Sequence, residues 1–511
     1  MPQEYVHDSR AKVKLLNKVS DYIEVLIGTE QGHPMSPELF KCFLLELSGN
    51  LDYVDGVRSP ELNRQKVTHL LWADDLVLLA LDKRSLQSLL NEVNSYCTVW
   101  GLTVNLDKTA VLVFNKTGRR LKASFGFKFG DNHIKSARNY CYLGITFNLS
   151  GSMKQAQNEL RLKGLKAYFA LKRSIDIWNL NTKALFRLFD SLIVPVFTYG
   201  CPVWFHECNF VKLLASNSLL KNTRETMTKI AADQTEKIHL KFLKWSLGLS
   251  SKASNLVCWG DTGRTPINIQ VIKQALDYIK RLESMEAHVV DTLPLAAHAF
   301  KEQVQMSLPW YECVMRVRTT LQQETVQSRL AKSKMDDMFK DTWKVALKTY
   351  PKLSFYQLIK SEMGYEPYLD ILDHSDKRCV AKLRASNHRL NSEIGRYIPS
   401  KSSAKYEASK NNVVWRKSCW VCCAKEAEDL AHLPFHEPII EDEQHVLATC
   451  PKYHHLRLQL DDNIKSIIVA WDPDDLRHLF SSEQITTFSS YLKKIFRVRF
   501  PKEDQENLEH N

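Results

Sequence analysis

Residues 67–80 read VTHLLWADDLVLLA. Two adjacent carboxylates, Asp74 and Asp75, divide two apolar runs, Leu70–Ala73 and Leu76–Leu79. Each run has the length and composition of a buried strand, and the acidic pair falls where the chain should reverse. That pattern predicts a β-hairpin carrying its carboxylates at the turn. Neighbouring carboxylates withdrawn from water are costly unless a cation neutralises them. Oxygen ligands of this kind suit Mg²⁺, and phosphoryl transfer commonly uses two such ions about 3.5–4 Å apart. An ordinary surface hairpin with an acidic tip has the same local pattern, so the neighbouring sequence must decide.

With 511 residues the chain has room for two to four domains, each with its own core. Lys and Arg total 70 against 58 acidic residues, a net charge of +12 that favours a polyanionic partner. The surplus is spread along the chain, so charge alone only permits nucleic acid. Of twelve cysteines, Cys419, Cys422, Cys423 and Cys450 lie close together and the others are scattered. Scatter points to reduced thiols, and the cluster is a metal candidate. The N-terminal stretch MPQEYVHDSRAKVK has no apolar signal core, and the apolar run 191–205 is short and interrupted by Pro195 and Pro202. These features lead us to expect a soluble intracellular protein without a membrane partner, with nuclear or cytoplasmic residence left open.

Upstream of the hairpin, residues 14–27 read as one mixed apolar element ending at Gly28. A loop containing Gln31 and Gly32 follows. Ser36 is placed to cap a helix, Pro37 suits its first position, and apolar residues at 39, 40, 43, 44 and 47 form a stripe. Downstream, Ser85–Trp100 reads as an amphipathic helix stopped by Gly101. Residues 102–114 return to strand character around Asn105, Asp107 and Lys108, residues 125–129 alternate weakly, and 140–146 read as a strand or hairpin.

Gln31-Gly32 with Ser36-Pro37, then Ala73-Asp74-Asp75, then Gly101-Leu102 with Asn105 and Lys108-Thr109, then Tyr142-Leu143-Gly144 come in a distinctive order and spacing. The combination resembles the reverse transcriptases of non-LTR (LINE-type, jockey-like) retrotransposons. The resemblance implies part of a polymerase palm in which Asp74 and Asp75 ligate Mg²⁺ or Mn²⁺. It implies that Gln31, Gly32, Ser36 and Pro37 shape the substrate pocket. Lys108 would stand near the leaving pyrophosphate, and Tyr142, Leu143 and Gly144 would grip the primer. Trp72 stands where the family carries another aromatic, and Glu30 where it usually carries a basic residue. The family also uses a third aspartate well upstream of the Gln-Gly loop. Asp8 and Asp21 lie too close to fill that role, so the chain reads as N-terminally truncated, without fingers or endonuclease. Polymerase activity in isolation is therefore expected to be low or absent.

Residues 152–178 and 182–205 read as helices. In the first, Lys154, Arg161, Lys163, Lys166, Lys172 and Arg173 are interleaved with Leu160, Leu165, Tyr168 and Leu171. The resemblance makes this region a thumb; an amphipathic bundle with a solvated basic face accounts for the same pattern. Residues 208–234, rich in Asn, Ser, Thr and Lys, read as a mobile connection. Within later helical stretches, Trp259-Gly260-Asp261-Thr262-Gly263 reads as a turn, because it lacks the context of a phosphate loop. Residues 354–369 and 382–397 resemble the C-terminal region of the same elements and carry no chemistry we can assign. Residues 398–412 read as a linker.

Cys419-x2-Cys422 and His445-x4-Cys450 together offer the four soft ligands of a tetrahedral structural zinc site. Cys423, His432 and His436 compete for places in it, and without zinc the cysteines are free thiols. The resemblance agrees, implying a zinc knuckle. Residues 461–499 read as one or two helices and 501–511 as a polar tail.

We therefore expect an α+β protein. Its parts would be a partial palm of antiparallel sheet and helices over 1–150, thumb and connection helices over 151–250, and a helical C-terminal domain over 251–410. A zinc-knuckle-like module over 411–460 and C-terminal helices with a polar tail over 461–511 complete it. The implied activity is RNA-directed DNA polymerisation, with an RNA template, a DNA primer and deoxynucleotides as partners. The alternative is a non-catalytic RNA- or DNA-binding remnant using thumb and knuckle.

Overall fold

The computed structural model describes residues 10–24, 32–62, 65–115, 126–176, 180–288, 295–306, 309–322, 328–388, 390, 419, 422 and 439–499. Two compact units are distinguished, one built from residues 1–152 and 282–308, the other from 153–281 and 309–511. The mixture of helix and strand is α+β in character.

In the first unit, β1 (Arg10–Ala11) pairs with β4 (Ile23–Glu24), and between them β2 (Lys14–Leu15) and β3 (Lys18–Val19) form a small hairpin. The single element expected over 14–27 is thus corrected: Leu16 takes a positive φ of 55° and turns the chain, while residues 25–31 lie outside the described set. Helix α1 (Ser36–Asp52) starts at Ser36 with Pro37 in its first turn and Met35 before it, one position earlier than expected. After β5 (Glu61–Leu62) and β6 (Gln65–Lys66) comes the acidic hairpin, β7 (His69–Trp72) against β8 (Asp75–Leu78). Helix α2 (Lys83–Trp100) is capped by the Asp82 carboxylate on the Ser85 N–H, and Gly101 ends it at a φ of 68°. Its Leu89, Val93, Tyr96 and Cys97 meet Leu47 and Leu51 of α1, with Leu76 and Leu78 of β8 packed against them. The inward side chains of the hairpin thereby anchor its tip to the unit's core.

Beyond α2, residues 102–109 are turns and irregular backbone rather than strand, and only β9 (Ala110–Leu112) is extended. The reason is local: Asn105 accepts the Lys108 and Thr109 N–H groups, closing a turn that competes with a ladder. Short β10 (Lys128–Phe129) and β11 (Asn132–His133) pair, β12 (Lys135–Ala137) lies parallel to β9, and β13 (Asn139–Tyr142) forms a hairpin with β14 (Ile145–Asn148). Among the described residues the strands make seven two-stranded ladders rather than one antiparallel sheet.

The second unit is helical. Helix α3 (Lys154–Ser174) lies so close to its neighbours that a Cβ on Gly164 would stand 2.9 Å from Phe197 and 3.0 Å from Ile238. Helix α4 (Thr182–Leu188) continues through a π turn, Phe189–Ile193, into α5 (Val194–Phe197). Pro195 accounts for the widening, since its ring cannot donate to the Ser191 carbonyl and crowds it. No single helix among the described residues is long and apolar enough to cross a membrane. One bent pair, 182–197 with 201–207, passes that test by composition, but its Phe186, Phe189, Ile193, Phe197, Trp204 and Phe205 are buried in the core.

After α6 (Cys201–Trp204), residues 208–234 correct the expected connection: they hold α7 (Asn209–Ala215) and α8 (Thr223–Ala231). Phe210, Val211, Leu214, Met227 and Ile230 are buried, so a narrow apolar stripe drives packing that polar average composition conceals. Helix α9 (Gln234–Ser246) stacks Phe242 on Phe189 with ring centroids 4.0 Å apart. Helix α10 (Asn255–Thr262) contains what read as a turn at Trp259–Gly263; only Gly263, at a φ of 65°, lies beyond the helix as its stop. Helices α11 (Ile267–His288), α12 (Leu295–Gln305), α13 (Pro309–Thr320), α14 (Ser328–Leu347), α15 (Ser354–Ile359), α16 (Tyr368–Ile371) and α17 (His374–Arg384) follow. Asp261 of α10 is fully buried, where it accepts Tyr356 and Tyr368 hydroxyls at 2.8 Å and a forked pair from Arg384 at 2.8 and 2.9 Å. The C-terminal segment forms three helices, Asp462–Ala470, Pro473–Ser481 and Ile485–Arg499, where one or two were expected. The expected linker 398–412 and the tail 501–511 lie outside the described residues.

Candidate catalytic hairpin and candidate metal centre

Register fixes what the acidic hairpin presents. Trp72 pairs with Asp75, leaving Ala73 and Asp74 as a two-residue loop. Ala73 takes a φ of 50° while Asp74 does not share the positive region, the pattern of a turn of the II′ kind, which usually wants Gly first. A left-handed alanine costs about 1–2 kcal/mol, held here by the ladder on either side. Asp74 and Asp75 are both exposed, and Trp72 beside them is 66% exposed. At the base, His69 links strand to helix: Nε2 is 2.8 Å from Ser48 Oγ, Nδ1 is 2.9 Å from Thr68 Oγ1, and Thr68 donates to Asp52 at 2.8 Å. Burial lowers the His69 pKa, with the Asp52 charge opposing.

A second hairpin reaches the same place. Tyr142 pairs with Ile145, leaving Leu143 and Gly144 as its loop, with φ values of 46° and 80°. Two positive values define a turn of the I′ kind, so Gly144 fits its place and Leu143 is strained in its own. The Tyr142 phenol has a raised pKa, first through burial and then through the Asp75 carboxylate. The Asp75 charge is thus felt at the second hairpin tip, which the sequence separation of the two does not disclose.

The other expected residues are more scattered. Gly32 has a φ of 91° and open space where a Cβ would stand; Gln31 lies outside the described residues. Ser36 donates its N–H to the His33 carbonyl at 3.1 Å as α1 begins, followed by Pro37. Lys108 is exposed on the Asn105 turn, and no contact among the described residues joins it to Asp74 or Asp75. Nor does any third His, Cys, Asp or Glu join that pair in a ligating group among the described residues. What the tip offers is two adjacent, solvent-facing carboxylates next to the exposed Trp72 ring.

In the second unit, Cys419, Cys422, His445 and Cys450 converge, their ligand atoms all within 4.8 Å of one another. Sγ of Cys450 is 3.9 Å from those of Cys419 and Cys422, and Sγ of Cys422 is 3.4 Å from Nε2 of His445. A tetrahedral ion with Zn–S near 2.3 Å and Zn–N near 2.05 Å requires edges of roughly 3.8 and 3.6 Å. The side chains present thus fit zinc. His445 and Cys450 stand at the two ends of a π turn, 445–449, and the Cys450 N–H closes it on the His445 carbonyl at 2.7 Å. The Thr449 hydroxyl, 3.1 Å from His445 Nδ1, orients the ring so that Nε2 faces the sulfurs. The hydrogen bond with Cys450 and the nearby His445 push the Cys419 thiol down, against the effect of burial. Cys423, His432 and His436 lie outside the described residues.

Residues 10–147 match the family of reverse transcriptases (RNA-dependent DNA polymerases). An uncharacterised transposon-derived protein of Caenorhabditis elegans is 29% identical over 143 residues, 28% of this chain and 50% of that protein. A retrovirus-related Pol polyprotein of the type-1 retrotransposable element R2 of Popillia japonica is 29% identical over 205 residues, 38% of this chain and 33% of its own length. Its type-2 R2DM counterpart in Drosophila melanogaster is 29% identical over 134 residues, 25% and 12% of the two chains. The chain spans at most half the length of these relatives. The match contains both hairpins, Asp74-Asp75 and Tyr142–Gly144. This chain therefore carries a reverse transcriptase domain of the non-LTR retrotransposon kind, related to those of R2 elements.

Proposed function

We propose that the chain takes part in RNA-directed DNA synthesis, with residues 1–150 as part of a polymerase palm and Asp74 and Asp75 as its metal-binding carboxylates. The observation that carries this reading is the strained hairpin tip that presents Asp74 and Asp75 as two adjacent exposed carboxylates. Mg²⁺ or Mn²⁺ bound there supplies charge neutralisation for attack of a primer 3′-hydroxyl on a nucleotide α-phosphate. The chain's own residues orient the reactants. Tyr142, Leu143 and Gly144 hold the primer end, Trp72 offers a face to the terminal base pair, and Gly32 lets substrate approach the backbone. Gln31, Ser36 and Pro37 shape the pocket on the nucleotide and template side, and Lys108 neutralises the departing pyrophosphate. Two carboxylates are an incomplete cage for two ions, so synthesis by the chain alone is expected to be low.

Residues 151–250 serve as thumb and connection, where exposed Lys163, Lys166 and Arg173 on α3 are placed for backbone phosphates. Residues 251–410 correspond to the helical C-terminal domain of the resemblance. Residues 411–460 correspond to a zinc-knuckle-like module whose Cys419, Cys422, His445 and Cys450 hold a structural zinc, and 461–511 to C-terminal helices and a polar tail. The absence of a third ligand beside Asp74 and Asp75 among the described residues favours a second reading, a non-catalytic RNA- or DNA-binding protein. Primer extension on poly(rA)–oligo(dT) with Mg²⁺ or Mn²⁺, alongside Asp74→Ala/Asp75→Ala, separates the two. Synthesis that disappears in the variant while RNA stays bound supports the polymerase; RNA binding with no synthesis from either protein supports the second reading.

A further inference from the structure

Three consecutive carboxylates, Glu441, Asp442 and Glu443, stand directly before the metal-ligating turn, and each is engaged in a different direction. Asp442 Oδ1 accepts the His445 N–H at 2.8 Å, capping the turn that carries the ligand. Glu443 Oε1 accepts from Ser386 Oγ at 2.9 Å and meets Nε2 of His388 at 2.8 Å, both just beyond α17. Nδ1 of His388 accepts the Leu390 N–H at 3.3 Å, which leaves Nε2 to donate to Glu443. Glu441 meets Arg499, at the end of the C-terminal helix Ile485–Arg499, through two 3.0 Å contacts. That helix also touches the ligand turn itself, since Tyr491 donates to the Leu447 carbonyl at 2.9 Å between His445 and Cys450. Its Lys493 pairs with Asp376 of α17.

Glu441, Glu443, Ser386 and His388 are all buried. Carboxylates taken out of water persist only where donors and cations engage them, and Ser386, His388 and Arg499, which engage Glu443 and Glu441, lie 55 to 58 residues away in sequence. We infer that Glu441–Glu443 is a clasp between the metal-binding loop and the helical body, with Glu443 and His388 as positioning residues for that loop. Metal binding and docking of the C-terminal helix then stabilise one another reciprocally. This inference rests on the zinc reading above.

The test is zinc affinity of the full chain by chelator competition, with hydrogen exchange over residues 384–390 and 485–499 before and after chelation. Wild type should hold one zinc in the cluster, and chelation should accelerate exchange in both segments. Glu443→Ala should weaken zinc binding by up to about 10-fold, the lower end of the effect of losing a group bonded directly to a metal ligand, because Glu443 acts through the loop. Glu443→Gln, which keeps an acceptor oxygen for His388 and Ser386, should recover most of that loss. Unchanged zinc affinity in Glu443→Ala overturns the clasp. So does exchange accelerated equally with and without zinc, because the contribution is then independent of metal. A wild-type chain that holds no zinc overturns the zinc reading and the clasp together, and is recognised because the failure appears without any substitution.

Discussion

Replacing Asp261 by Asn tests whether the buried ionic network at the end of α10 holds the second unit together. Asp261 and Arg384 are both fully buried; Glu366 lies 3.1 Å from Arg384 and pairs with Lys360, so two acids balance two bases. Nη1 of Arg384 makes no hydrogen bond and rests among the rings of Tyr356, Tyr368 and Phe480, each 5.2–5.4 Å from its guanidinium carbon. Water cannot take over the missing charge in such a site. Removing one partner of a buried pair costs about 3–5 kcal/mol. Tyr356→Phe, which deletes one hydrogen bond to the same carboxylate, should cost about 1.5–3 kcal/mol. Urea unfolding read by hydrogen exchange in peptides from α10 and α17 measures both. The pH dependence has a definite sign. Burial alone would raise the Asp261 pKa, but Arg384 and Lys360 bring it below the ordinary value. Stability from this group is therefore complete above the unfolded carboxylate range and lost as pH falls through the folded one. A cost under about 1 kcal/mol for Asp261→Asn would refute the reasoning, as would a larger cost for Tyr356→Phe.

Three further outcomes follow from single positions. A Cβ on Gly260 would stand 2.3 Å from the Tyr356 hydroxyl and 2.6 Å from the Trp343 ring, so Gly260→Ala should destabilise the second unit by about 1–3 kcal/mol in the same unfolding assay. Ala73→Gly relieves a left-handed alanine at an exposed tip and should slow hydrogen exchange across β7 and β8 by up to about tenfold; faster exchange would contradict the strain. Burial raises the Asp233 pKa to about 6, against the opposing Asn209 and Phe210 N–H groups. A raised acid penalises the folded state once ionised, so local protection of α7 and α8 should decline as pH rises from about 4 to about 6.

The acidic hairpin was legible because its signal is local: two apolar runs, a break between them, and pairing with only the next strand. Helix α2 was legible for the same reason, with an apolar stripe and a glycine stop. The convergence of Cys419, Cys422, His445 and Cys450 was readable from spacing, since two close pairs suffice to suggest a tetrahedron. The Asp261 site was not. Its partners Tyr356, Tyr368 and Arg384 lie 95 to 123 residues away, so Trp-Gly-Asp-Thr-Gly carries only the look of a turn. Residues 208–234 misled through averaging, because buried apolar side chains such as Phe210, Val211, Leu214, Met227 and Ile230 outweigh their polar majority. The meeting of Tyr142 with Asp75 is tertiary, and the order of motifs hinted at it only through resemblance. Glu441–Glu443 are three consecutive acids in the sequence, and their donors Ser386, His388 and Arg499 could be found only in the folded chain.

The central claim is that the hairpin tip binds a divalent ion through Asp74 and Asp75. Mn²⁺ titration followed by electron paramagnetic resonance, with the cysteine cluster loaded with zinc beforehand, measures it directly. Wild type should show one site that Asp74→Ala/Asp75→Ala lacks, with Mg²⁺ competing for it. Identical Mn²⁺ binding by the two proteins would contradict the account.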